Sequence, residues 1–274
     1  MMRLESIKKG NDKMSYLIKL EFKKIQPIYL IGLIVGIIFA VSTLFFLREG
    51  YVYANNMDLW MNTGDLFTVV FPLFATIPII WQLVYERKYH YIRYMQTRIP
   101  KKKYLIAKWL VSSGSAAFII FLISFLGLFI ALYLFPDVAT TDSTLLEQAE
   151  ASQLSGFGGY YTLNHPLIYG IVVSLWRSVL AIVVNSLGFL LAAYIKNLFV
   201  VLISPFVIVQ LENFITAVVG RSDLSLSYSF FQSGLTSQAV SIPKYLISPV
   251  WIVLLIVTIW IYFAKIKKET IYDV

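Results

Sequence analysis

The 274 residues carry 58% hydrophobic and 14% charged side chains, with a mean hydropathy of +0.74 and a formal charge of +8. Soluble domains carry about 25% charged residues, so composition excludes an ordinary soluble fold and points to an all-α integral membrane protein, with 1–274 forming a single transmembrane domain. Cysteine is absent, which excludes a disulfide framework, a thiolate zinc site and a cysteine nucleophile.

In chain order, residues 1–27 form a basic lead. Met14, Leu17, Ile18, Phe22 and Ile25 recur at helical spacing and Lys13, Lys19, Lys23 and Lys24 fall mainly on the other side. This predicts a helix lying in the cytoplasmic interface. No small-residue cleavage site follows the first apolar run, which reads as a retained span and not a signal peptide. A helix needs roughly 20 apolar residues to cross a hydrocarbon core about 30 Å thick. Residues 28–47 meet that without a charge and give span one. Within it Gly32 and Gly36 form a G-x-x-x-G pair, a candidate helix-packing face, although glycine is common in membrane helices and chance occurrence is the better bet.

Span two is placed at 66–85, with Pro72 and Pro78 expected to kink it. Segment 86–108 follows. Tyr85, Tyr89, Ile92, Met95 and Ile99 make one stripe there, basic residues crowd the rest, and Pro100 is expected to end the helix. Span three is 109–135. The 136–166 connection carries Asp137, Asp142, Glu147 and Glu150 with no Lys or Arg, and its Gly156, Gly158 and Gly159 read as a flexible turn. Spans four, five and six are placed at 167–195, 198–219 and 249–264, followed by a tail at 265–274. Tyr and Trp, including Trp60, Trp81, Trp109, Tyr169, Tyr194 and Trp251, fall near the ends of these spans as aromatic belts do.

This six-span arrangement puts nineteen of the twenty-three Lys and Arg residues on one side. By the positive-inside rule both termini and segment 86–108 are cytoplasmic, and 136–166 is an external loop. The positive charge is thus a signal of topology in a cell membrane and not of nucleic-acid binding.

The chemistry that is missing is informative. No G-x-x-x-x-G-K-[ST] loop, H-E-x-x-H or G-x-S-x-G occurs, and the two histidines, His90 and His165, fall on opposite sides. No catalytic or metal site is expected. Two charges lie inside spans. Arg177 sits about 15 Å into span four, and Glu212 is the one acidic residue within any assigned span. Their depths predict an intramembrane ion pair, read as a tie between spans four and five in preference to a role in substrate passage.

The order of parts resembles the membrane subunit of a type-2 ATP-binding-cassette (ABC) exporter, the six-helix permease class of many bacterial exporters. The residues carrying the resemblance are Glu86-Arg87-Lys88, Arg98-Ile99-Pro100-Lys101-Lys102-Lys103-Tyr104 and Lys108, together with the amphipathic lead and the half-polar stretch between spans five and six. It implies that 86–108 is a coupling helix docking on an ATPase subunit through Glu86, Arg87, Arg93, Arg98 and Lys101. It also implies a re-entrant segment before span six, with an ordinary external loop an equal reading of the residues, and a second permease copy or paralogue around a route bordered by spans one, two and five.

The function so implied is export of a hydrophobic or amphipathic substrate (peptide, antibiotic, lipid or glycan) across a bacterial plasma membrane. ATP and Mg would be bound by the separate ATPase, with no cofactor in this chain. The runner-up is a membrane scaffold or sensor subunit whose basic cytoplasmic segment holds anionic lipid or a signalling partner. An ion channel is weaker, since no span shows a repeated polar face.

Overall fold

The computed structural model describes residues 2–51, 53, 55–89, 91, 95, 99–136, 144, 147, 151, 154, 159–230 and 242–263, with side chains from residue 14 and, in the last helix, from residue 245. All regular structure among them is helical. The helices are α1 (Met2–Gly50), α2 (Asn56–Lys88), α3 (Lys101–Phe129, prolonged by a π turn at Ile130–Leu134), α4 (Gly159–Asn164), α5 (Pro166–Tyr194), α6 (Leu198–Val218), α7 (Leu226–Phe230) and α8 (Ile242–Ile261), with a 3-10 turn at Ser222–Leu224. Five of them, α1, α2, α3, α5 and α6, are long and apolar enough to cross a membrane, which makes this a multi-pass membrane protein by length and composition. The apolar part of α8, Tyr245–Ile261, is shorter.

Several boundaries differ from the sequence reading, and each difference has a local cause. The amphipathic lead and span one are a single helix that continues through Pro27. Leu17, Glu21, Ile25 and Tyr29, each four residues from the next, are all buried, so one stripe turns inward across the expected break. Helix α2 begins at Asn56, not at Leu66, because Asn55 caps it: the Asp58 amide donates to the Asn55 side chain at 2.9 Å. Helix α3 begins at Lys101, just after Pro100. Helix α8 starts before Pro249 and contains it. Proline at 249 removes the amide that would bond the Tyr245 carbonyl, and the Ser229 hydroxyl donates to that carbonyl at 2.9 Å instead. Gly159 is the first residue of a short helix and not part of a turn.

Helix α2 is central, with 61% of its most apolar stretch buried against 17% for α6. It packs on α1, α3, α5 and α6, and α5 in turn packs on α3, α6 and α8. The core has three levels. Phe71, Ala75, Ile119, Ile120, Leu180 and Val184 fill the middle. Leu44, Leu59, Trp60 and Leu128 fill one end, and Ile80, Leu83, Tyr104 and Ala192 the other.

Lipid tails are as apolar as leucine, so close backbone approach and buried polar contacts must hold such a bundle. A Cβ on Gly32 would lie 2.6 Å from the Pro78 ring, and one on Gly36 would lie 2.2 Å from the Ile123 side chain. Both glycines therefore pack helices within this chain. Their face is covered by α2 and α3 and is not open to a second copy.

Candidate functional site

Two buried polar clusters lie at different levels of the bundle, one at an end and one nearer the middle. The first gathers where α1, α2 and α3 meet. Glu86 accepts from Tyr104 Oη at 2.8 Å, Gln82 Nε2 at 3.1 Å and Lys24 Nζ at 3.3 Å, and from Lys108 Nζ. Glu21 pairs with Lys24 at 2.5 Å and Lys108 at 3.3 Å. The cluster holds two carboxylates and two ammonium groups, so its formal charges cancel. That neutrality matters, because an uncompensated charge removed from water costs several kcal/mol.

Arg87, next in sequence, points to a different helix end. Its guanidinium donates to the Ile195 carbonyl at 2.8 Å, to Tyr194 at 3.2 Å and to Ala192 at 3.3 Å. These are last-turn carbonyls of α5, the groups that a helix C-terminus leaves without intrahelical partners. Consecutive residues thus fasten α2 to α1 and α3 on one side and to α5 on the other.

The second cluster surrounds Arg177, which is 2% exposed. Its Nη1 donates to Ser124 Oγ at 2.9 Å and its Nε to the Phe230 carbonyl at 3.4 Å. The guanidinium lies 5.0 Å from the Trp60 ring and 4.8 Å from the Phe230 ring. The charge of Asp65, five residues after Trp60, also acts on it. Trp60 donates through Nε1 to the Ser124 carbonyl at 3.0 Å, so it is an interior residue and not part of a belt. Tyr169 and Tyr194 are buried as well.

A charge near a bilayer centre costs at least ~2.5 to 3.5 kcal/mol. Hydrogen bonds from a charged donor contribute about 1.5–3 kcal/mol each and ring contacts about 0.5–2. Two of each are enough to offset that cost.

The expected ion pair is not formed. Among the described residues Arg177 and Glu212 have other partners, and those partners are the two ends of one short helix. The Glu212 carboxylate accepts from the Leu226 amide at 2.9 and 3.2 Å, at the start of α7, and from Ser248 Oγ at 2.7 Å. Arg177 takes the Phe230 carbonyl at the end of α7. An anion at the N-terminus and a cation at the C-terminus are the arrangement that unsatisfied helix-end amides and carbonyls favour. The sequence reading left this stretch open as a re-entrant segment or an ordinary loop, and did not place it between the two charges.

Helix α7 is held on every side. Leu226 and Phe230 are fully buried, and Phe230 stacks on Phe71 at 4.3 Å. Trp176 Nε1 donates to the Ser229 carbonyl at 3.0 Å. Phe71 lies fifteen residues into α2 from Asn56, about 22 Å along its axis, so α7 folds back well inside the bundle end.

The predicted docking residues are divided by the structure. Glu86 and Arg87 are buried and bonded to the chain's own helices. Lys101 is half-buried at the start of α3. Arg93 and Arg98 lie outside the described residues, while Met95 and Ile99 of the same stripe pack against the core. His165 holds the N-cap position of α5, but its side chain makes no capping hydrogen bond; His90 lies outside the described residues.

Compared with known proteins, the chain matches no family model, no curated protein and no solved structure. No family is thereby shown. The functional reading rests on the chain's own residues.

Proposed function

We propose that this chain is the permease subunit of an ATP-driven exporter of the type-2 ABC class, moving a hydrophobic or amphipathic substrate with energy from a separate ATPase. The observation that carries the reading is the junction at Glu86 and Arg87. The 89–100 connection leaves α2 directly below a residue pair that grips α1, α3 and α5. A push on that connection is delivered to four helices at once, and a rigid junction of that kind suits a part that transmits work. A scaffold that only held anionic lipid would need the basic charges and not the buried clamp behind them.

In this reading Arg93, Arg98 and Lys101 face the ATPase, Glu86 and Arg87 brace the connection from within, and α8 is a sixth crossing that returns the chain to the cytoplasm. The 222–230 segment is re-entrant from the outer side, locked by Arg177 and Glu212. A second copy or paralogue completes the route, meeting this one through surfaces other than the Gly32 and Gly36 face.

Affinity-purified chain from its native membrane tests this through the connection. Reversing Arg93 and Lys101 together to Glu is expected to remove copurifying ATP hydrolysis at least tenfold, with membrane insertion and thermal stability unchanged. Wild-type preparations that carry no ATPase, yet lose binding to anionic vesicles on the same reversal, would favour the scaffold.

A further inference from the structure

We infer that the groove between the first part of α1 and the start of α3 is a binding site for one anionic phospholipid, held by a single acyl chain and its phosphate. The inference rests on the chain's being a membrane protein and is independent of the exporter reading.

The groove encloses about 500 Å³ and is walled by Phe22 and Tyr29 of α1 and by Leu110 and Phe118 of α3. Its floor is Gly114, which is exposed, and a Cβ built there meets nothing within 4 Å. A large side chain at 114 would project into this space without a clash and obstruct it.

Dimensions and charge identify the occupant. Helices α1 and α3 run parallel, since Glu21 meets Lys108 at one level and Gly36 meets Ile123 further along. From Lys19 to Tyr29 the groove is about 15 Å long at ~1.5 Å per residue. It lies beside the Glu21–Lys108 level, where α1 enters its apolar stretch, so it spans the boundary between headgroups and acyl chains.

Lys19 lies at the mouth, on the same end as the buried charge cluster. On α3, Lys103 stands seven residues before Leu110 and eleven before Gly114, spacings that keep it on the groove face. Lys19, its neighbour Lys23 and Lys103 are all exposed, and no carboxylate among the described residues pairs with any of them. Lys24 and Lys108, by contrast, are neutralised by Glu21 and Glu86. An apolar slot at that boundary, with ammonium groups at its mouth that no described carboxylate pairs, matches the upper part of an acyl chain topped by a phosphate. A zwitterionic headgroup offers the same phosphate but brings its own positive charge to the mouth, so it would leave the excess charge there unbalanced.

Native mass spectrometry of the full-length protein in detergent, titrated with phosphatidylglycerol or phosphatidylcholine, reads the site directly. Wild type is expected to retain one phosphatidylglycerol with at least tenfold preference over phosphatidylcholine. Gly114→Leu is expected to lose that adduct while keeping the wild-type melting temperature, because the added side chain enters open space. The Lys19→Ala/Lys103→Ala double variant is expected to bind phosphatidylglycerol about 30-fold more weakly, from about 1 kcal/mol for each lysine near an anionic surface. Equal retention of the two lipids by wild type would overturn the proposal, as would a Gly114→Leu protein that still holds phosphatidylglycerol. A Gly114→Leu protein with unchanged lipid count but altered oligomeric state would also overturn it, since the groove would then be a contact between copies.

Discussion

Glu86→Ala is expected to destabilise the protein by about 3–5 kcal/mol, measured as loss of thermal and denaturant stability in detergent. Four donors converge on this carboxylate, two of them ammonium groups. Removing it leaves Glu21 alone to balance Lys24 and Lys108, with Lys108 buried. Glu86→Gln keeps an acceptor for Tyr104 while deleting the charge, and its loss should fall between wild type and Ala. Pairing Glu86→Ala with Lys108→Met removes one charge of each sign, so the double variant is expected to lose less than the two single losses added, by about 0.5–3 kcal/mol. A strictly additive pair would show that the cluster is a set of independent contacts. Lys102→Ala, on an exposed position of the same helix, serves as the control and should stay within about ±0.5 kcal/mol.

Gly64→Ala is expected to release α7 from its seat. A Cβ at position 64 would lie 2.1 Å from Nη2 of Arg177 and within 2.9 Å of two further guanidinium atoms. Side-chain ends usually move aside, but this one is held by Ser124, Phe230 and the Trp60 ring, so movement breaks those contacts. The expected cost is about 1–3 kcal/mol, as for other overpacked sites. A Cys placed at Ser227, buried in the wild-type fold, should become several times faster to label in the Gly64→Ala protein. Adding Arg177→Ala removes the colliding group, so in that background Gly64→Ala should cost nothing measurable in stability. If it costs as much with Arg177 present as with it absent, the glycine serves some other contact.

An apolar run marks the uncharged part of a helix and not the helix's ends. Runs located α5 and α6 to within a residue or two because uncharged sequence and helix coincide there. They misplaced the starts of α2, α3 and α8, because Asp58, Asp65 and Lys101–Lys103 belong to helices without belonging to apolar runs. The late start assigned to α2 had a further effect: it left Asp65 outside a span, so Glu212 looked like the only carboxylate available to Arg177. The Asn55 cap was visible as an Asn-Asn-Met-Asp stretch before an apolar pattern, and would have moved that boundary. The role of Glu86 was not legible in the same way. An acidic residue leading a basic segment looks like a docking motif, and only the convergence of Lys24 from sixty-two residues away and Lys108 from twenty-two shows it turned inward. Gly32 and Gly36 stood only as a candidate packing face, with chance the better bet, and neither their packing nor their partner helices could be read from spacing alone.

The proposed function depends on a cytoplasmic Glu86 junction, and the topology proposed with it has six crossings with both ends inside. Single cysteines at Ser6, Gln96, Ser152 and Tyr272, in a chain with no native thiol, report it in intact cells through a membrane-impermeant maleimide. The account predicts immediate labelling of Ser152→Cys alone, with the other three labelled only after lysis. Labelling of Tyr272→Cys before lysis would mean that α8 does not cross, and labelling of Gln96→Cys before lysis with protection at Ser152→Cys would place the junction outside the cell and contradict the account.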